Sequence, residues 1–226
     1  MKSVLLFLLF AFLSSPASSQ IRVGLEGGVL VNKITLKESS AAPGFSTTMA
    51  STIGYRAGVL ADLGLGDHIA VKPGIFYCAR GGKLKADFGI FGTSQSDVTV
   101  NYLEVPVLVL YKLQVGPGRV FVGLGPSVSI ALSGKTHATS SFSSIFGQVD
   151  TTIKMEFGSD TSEMKRLDFA ANFNAGYELD MGLFVRVGYY LGLANLSNNS
   201  STADDKMKNR AFQITLGYLL GRRNDY

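Results

Sequence analysis

Seven charged side chains set the chemical question in this sequence: Glu26, Arg56, Lys72, Glu104, Asp168, Glu178 and Arg186. Each falls in a run where apolar and polar residues alternate, and each sits on the polar parity. Strand side chains point alternately to two faces, so residues of one parity share a face. Carboxylates, ammonium and guanidinium groups gathered on one face would line a conduit or bind a solute. Alternatively, they would pair with one another and fill the space they share. With Arg22, Asp62, Arg80 and Lys112 added, six cations face five anions. A buried ion without a partner costs several kcal/mol, so this near-balance favours mutual pairing and a plugged interior.

Other groups that could do chemistry are weaker candidates. His137 lies amid Ser133, Ser140, Ser141, Ser143 and Asp150, the residue types of nucleophilic hydrolysis, but a serine-rich stretch is ordinarily just solvated. His68 stands beside the Gly66-Asp67 turn. Ser133-Gly134-Lys135-Thr136 resembles the end of a phosphate-binding loop, yet Ser129 occupies the position of its first glycine. Asp204-Asp205 lacks the spaced ligands of a calcium loop. Cys78 is the sole cysteine, which rules out an intramolecular disulfide and leaves no thiol pair for zinc. Asn195-Leu196-Ser197 and Asn199-Ser200-Ser201 are formal glycosylation sequons. The expectation is no catalytic, metal or cofactor site, and no enzyme. The charges, 21 Lys+Arg against 17 Asp+Glu, are scattered rather than clustered, which argues against nucleic acid.

The elements that must position the charges are strands. Residues 1–20 read as a cleaved secretory signal, with Lys2 followed by the apolar Val4 to Leu13. Residues 21–226 read as one β-barrel domain. Strand-like runs fall near Ile21–Asn32, Ser51–Leu65, His68–Lys83, Asp97–Gln114, Arg119–Ser133, Arg166–Asp180, Gly182–Ala194 and Asn209–Arg222. Tight turns at Gly64–Asp67, Val115–Gly118 and Asp180–Gly182 alternate with long polar links at Lys33–Ala50, Leu84–Ser96, Gly134–Lys165 and Asn195–Lys208. Short turns at one end and long loops at the other suit an antiparallel, up-and-down, eight-stranded transmembrane barrel.

A soluble barrel would place its apolar face inward, and a membrane barrel inverts this. The polar face is crowded with small residues, as in Gly123, Gly125, Ser127, Ser129 and Ala131, which suits a narrow interior better than a wet exterior. On the apolar face Tyr55, Tyr77, Phe169 and Phe212 fall near the long-loop ends, while Tyr111, Tyr177 and Tyr218 fall near the short turns. Two such rings match the aromatic girdles of a membrane barrel. Pro73, Pro106 and Pro126 lie inside strands and predict broken pairing or bulges. A phase slip between Val98-Val100 and Leu103-Val105 predicts a bulge near Asn101-Tyr102, or a strand running beyond the bilayer.

The stretch Tyr102-Leu103-Glu104-Val105-Pro106-Val107-Leu108 resembles the PorT-like outer-membrane β-barrel family. Lys72-Pro73-Gly74-Ile75-Phe76-Tyr77, the Phe169 to Tyr177 run and Phe212-Gln213-Ile214-Thr215-Leu216-Gly217-Tyr218 agree with it. The resemblance implies a Gram-negative outer-membrane barrel of about eight strands, most members of which have no assigned activity. Arg222 departs from the usual terminal hydrophobic residue, and Tyr226 is the candidate substitute. The role expected is structural or binding: a plugged barrel displaying loops, with outer-membrane lipid around it and an extracellular partner engaged through residues 134–165. A narrow solute pore is the alternative, and a lipid-modifying enzyme using His137 the weaker one.

Overall fold

The computed structural model describes residues 21–37, 46–87, 92–142, 148–158, 164–196 and 206–221. The signal reading of residues 1–20 lies outside these, as do Ser143, the sequon at Asn199, Asp204-Asp205, Arg222 and Tyr226. Ten strands follow in order: β1 (Ile21–Lys37), β2 (Ser46–Ala50), β3 (Thr52–Gly64), β4 (Ile69–Asp87), β5 (Gly92–Gln114), β6 (Gly118–Phe142), β7 (Gln148–Lys154), β8 (Leu167–Leu179), β9 (Leu183–Gly192) and β10 (Lys206–Leu220).

Eight of these close a ring of antiparallel ladders: β1, β3, β4, β5, β6, β8, β9 and β10, with β10 returning to β1. The first and last strands meet along a full ladder from Val23↔Leu220 to Lys37↔Lys206. At one end the strands are joined by short turns. Gly66, Gly116 and Gly182 take φ of 84°, 62° and 94° there, a left-handed region that glycine enters without the Cβ clash. Both chain ends of the ring lie at this same end.

Burial follows the alternation, inverted relative to a soluble protein. Along β9, Val185 and Val187 are exposed while Phe184, Arg186 and Tyr190 are buried. Along β8, Phe169 and Phe173 face outward while Asp168, Asn172 and Asn174 are enclosed. Tyr55, Tyr77, Phe212, Tyr111 and Tyr218 are all exposed on the outer surface, and Tyr55 and Tyr77 pack with ring centroids 6.1 Å apart. An apolar outer band around a ring without open edges suits a lipid surround.

The prolines behave as their missing N–H requires. The β3–β4 ladder skips between Leu60↔Gly74 and Leu63↔Val71, beside Pro73. The β5–β6 ladder skips between Pro106↔Ser127 and Val109↔Leu124. The β5–β6 ladder has a bulge at Asn101-Tyr102, where Tyr102 pairs with Ala131 and Asn101 with Ser133, leaving Leu132 of β6 as the extra residue. β5 itself keeps its parity, and its apparent phase slip arises because Val98 and Val100 turn inward with Tyr102 against apolar residues at the loop end.

All four of the expected long links are shorter than the sequence suggested, because strands extend into them. β4 runs to Asp87, β5 starts at Gly92, and β6 runs to Phe142, so much of the 134–165 link is strand. The edges of the resulting extension are β2, paired to Lys83–Asp87 of β4, and β7, paired to Lys135–Ser141 of β6. The reason lies in the solvent. Above the bilayer both faces of a strand meet water, so Thr93-Ser94-Gln95-Ser96 and Thr136 to Ser141 keep β-pairing without any apolar period to reveal it.

Candidate functional site

All seven charged residues singled out by parity point into the ring, and each is no more than 3 % exposed. They are joined there by Arg22, Asp62, Arg80 and Lys112 into layers stacked along the barrel.

The layer nearest the short turns is built on Asp62, two residues before the end of β3, and Glu178, next to last in β8. Arg22 reaches Asp62 at 2.9 Å and Glu178 at 2.5 Å. Lys112 reaches the same two carboxylates at 2.5 and 2.9 Å. Lys72 stands above this quartet. Its ammonium is 3.9 Å from Asp62 and has no hydrogen-bond partner among the described residues. It lies instead 4.6 Å from the ring centroid of Phe184 and 5.2 Å from that of Phe121, where the negative faces of the aromatic rings attract it.

The middle layer is a chain of alternating charge. Arg186 pairs with Glu26, Arg56 bridges Glu26 at 3.6 Å and Glu104 at 3.3 Å, and Glu104 pairs on its far side with Arg80. Arg56 also donates to Gln213 at 2.9 Å and covers the Phe76 ring at 3.7 Å. Cys78 donates its thiol proton to Glu104 at 3.6 Å. Above it, Arg80 lies 3.8 Å over the Tyr190 ring and donates to Ser129 at 3.2 Å. Tyr190 and Asn209 each donate to Asp168 at 3.0 Å, and Asn209 contacts the Tyr102 hydroxyl at 3.3 Å.

The interior is not only polar, which corrects the expectation of a polar lumen. Leu30, Leu60, Phe76, Leu108, Phe121 and Phe184 are buried among the charges. Glycines opposite make room for the rings: a Cβ on Gly217 would collide with Phe184, and one on Gly176 with Phe121. At the loop end, Met155, Phe157, Met164 and Leu196 pack onto Val98, Val100, Tyr102 and Ala131 as an apolar cap. Phe157 and Met164 are held together there by a backbone bridge. Sequence reasoning identified the charges but missed Tyr190, Asn209, Gln213 and Ser129 as their partners. Strand parity marked these residues too, but nothing in a strand's own sequence says which strand faces it across the ring.

His137 sits on the β6–β7 hairpin outside the ring. Its Nδ1 is 3.0 Å from the Thr152 hydroxyl and its Nε2 3.5 Å from Asp150. Two of the serines around it are engaged elsewhere: Ser133 with Asn101 at 3.0 Å and Ser140 with Ser94 at 3.0 Å. His68 stacks on Tyr111 at the short-turn end, with centroids 5.8 Å apart. Among the described residues no group of three or more His, Cys, Asp or Glu side chains is placed to hold a metal.

Comparison with solved structures finds small outer-membrane proteins. Ail of Yersinia pestis is 12% identical, with 89% of this chain and 99% of that chain covered and a TM-score of 0.41. Neisserial surface protein A is 10% identical, covering 87% and 96%, with a TM-score of 0.42. OprG of Pseudomonas aeruginosa is 14% identical, covering 88% and 94%, with a TM-score of 0.40. No curated protein sequence matches the chain. The outer membrane protein beta-barrel domain family matches residues 14–198, and with its closed ring, apolar exterior and enclosed charges the chain belongs to that family.

Proposed function

We propose that this protein is a non-conducting, non-catalytic scaffold of the outer membrane, of the PorT-like type, which holds an extracellular β-sheet extension rigidly above the bilayer for contact with a partner. The observation that carries the reading is the continuous filling of the ring. Charge pairs, aromatic rings and the Met155-Phe157-Met164-Leu196 cap succeed one another from the short turns to the loop end. An ion following the axis would have to break paired charges whose separation in low dielectric costs several kcal/mol. A partner would meet the β6–β7 hairpin, where Ile153 is 58% exposed on a loop-side element of the kind that ordinarily carries recognition.

Planar-bilayer recording tests this directly. Purified protein is expected to give no stable unitary currents. Currents that persist in the wild type and change amplitude in Arg186→Gln would establish a pore and overturn the scaffold reading.

A further inference from the structure

Among residues whose side chains are described, two pairs of cations stand directly opposite each other on the outer surface of the strands. In the β1–β10 ladder Lys33 pairs with Arg210, and in the β6–β7 ladder Lys135 pairs with Lys154. All four side chains are exposed. Like charges directly across a ladder destabilise it, so each pair opposes the sheet that carries it unless an anion lies between the two. No such anion comes from the described residues. Asp97 is held by Lys83 at 3.2 Å and Asp150 by His137 at 3.5 Å. Among the described residues no carboxylate lies within 4 Å of the four cations.

The position of the pairs identifies the missing partner. Lys33 follows Val31 by one turn of the pleat and Arg210 precedes Phe212 by the same step. Both Val31 and Phe212 are outward apolar residues, each 45% exposed. Lys135 follows the outward residues Ile130, Leu132 and Ser133 of β6. The bulge at Leu132 directs Lys135 to the outer face. Had every residue of β6 stayed paired in strict alternation, Gly134 and Thr136 would take the outer face instead. Both pairs thus sit on the lipid side of the wall, just beyond the apolar band, at the long-loop end that faces outward in barrels of this class. Lys208, two residues before Arg210, extends the first pair on the same face. At the short-turn end the exposed charges at the turns include Asp67 and Asp180, and the described residues form no like-charge pair there.

We infer that the two pairs form binding sites for the net-anionic phosphomonoester groups of the outer leaflet's lipid, a charge that the zwitterionic phosphodiester of phosphatidylcholine lacks, with each phosphate seated between two cations. A phosphate accepts several charge-assisted hydrogen bonds, and bound between two cations it turns their repulsion into attraction for a shared anion. A soluble anion would reach the cap or the loop tips as readily. Placement on the lipid side favours an anion fixed at the depth of the headgroups.

The test uses the full chain reconstituted into vesicles of phosphatidylcholine alone, or with added lipid A in diphosphorylated or fully dephosphorylated form. The readout is the temperature at which the heat-modifiable gel mobility is lost. Wild-type protein is expected to melt several degrees higher with the diphosphorylated lipid than with the dephosphorylated one. The double variants Lys135→Gln/Lys154→Gln and Lys33→Gln/Arg210→Gln should each lose part of that rise. In phosphatidylcholine alone, both variants should melt no lower than wild type, because the repulsion is gone, and this also shows that they fold. Lys135→Glu should raise the melting temperature in phosphatidylcholine by pairing with Lys154, and reduce the rise given by the diphosphorylated lipid. A rise that survives in both double variants would overturn the assignment. An equal rise for wild type in phosphatidylcholine with inorganic phosphate would overturn the assignment to lipid in favour of a free anion.

Discussion

At Glu104 the barrel interior concentrates most of its dependence on one side chain. Its carboxylate is fully buried, pairs with Arg56 and Arg80, and accepts the Cys78 thiol proton. Replacing it with glutamine leaves two enclosed guanidinium groups facing a neutral amide. Removing one partner of a buried ion pair typically costs about 3–5 kcal/mol, so Glu104→Gln should lower unfolding free energy by about that much, measured by urea titration in lipid vesicles. Adding Arg80→Gln should give a double variant less damaged than the sum of the single changes. Glu104, Arg56 and Arg186 were legible in the sequence as interior residues, because strand parity alone assigns a face. Their pairing was not. Glu26 meets Arg186 from 160 positions away, and that encounter depends on the stagger of the whole ring, which no local pattern records.

On the scale of strands, β6 shows where reading by alternation works and where it stops. Inside the bilayer the pattern is plain, with Val122, Leu124, Val128 and Ile130 outward and Phe121, Ser127 and Ser129 inward. Beyond Leu132 the strand continues to Phe142, but serine and threonine occupy both faces and the period disappears. Lipid on one side is what makes a membrane strand visible in sequence, so the β2 and β7 edges and the long reach of β4, β5 and β6 stayed hidden. The phase error read on β5 comes from Val98 and Val100 facing the apolar cap, and the bulge beside them lies on β6, where it carries its own prediction. Deleting Leu132 removes only the unpaired residue and keeps every later side chain on its face, so that variant should retain heat-modifiable migration. Deleting Val128 from the same strand shifts the register within the bilayer and turns a whole face over. That variant should fail to assemble, as judged by protease sensitivity and loss of the compact gel band.

Across the whole molecule, the ring, its interior and its cap are expected to unfold as one cooperative body, and Cys78 would report on it. The thiol has no accessible surface, so a small maleimide should leave it unmodified in the folded barrel and label it only as the ring opens. Labelling that tracks the loss of heat-modifiable migration would show a single transition, whereas early labelling would reveal a barrel that opens locally at β4. The seam between β1 and β10 has a consequence for how the chain comes to exist at all. Until residues 206–220 arrive, every partial assembly has two bare strand edges, so closure waits for the last strand of the ring. The alternating pattern suits that wait. The lipid-facing residues are only every second residue of each strand, so an exported chain carries that surface dispersed, and concentrates it on one side only when the circle is complete.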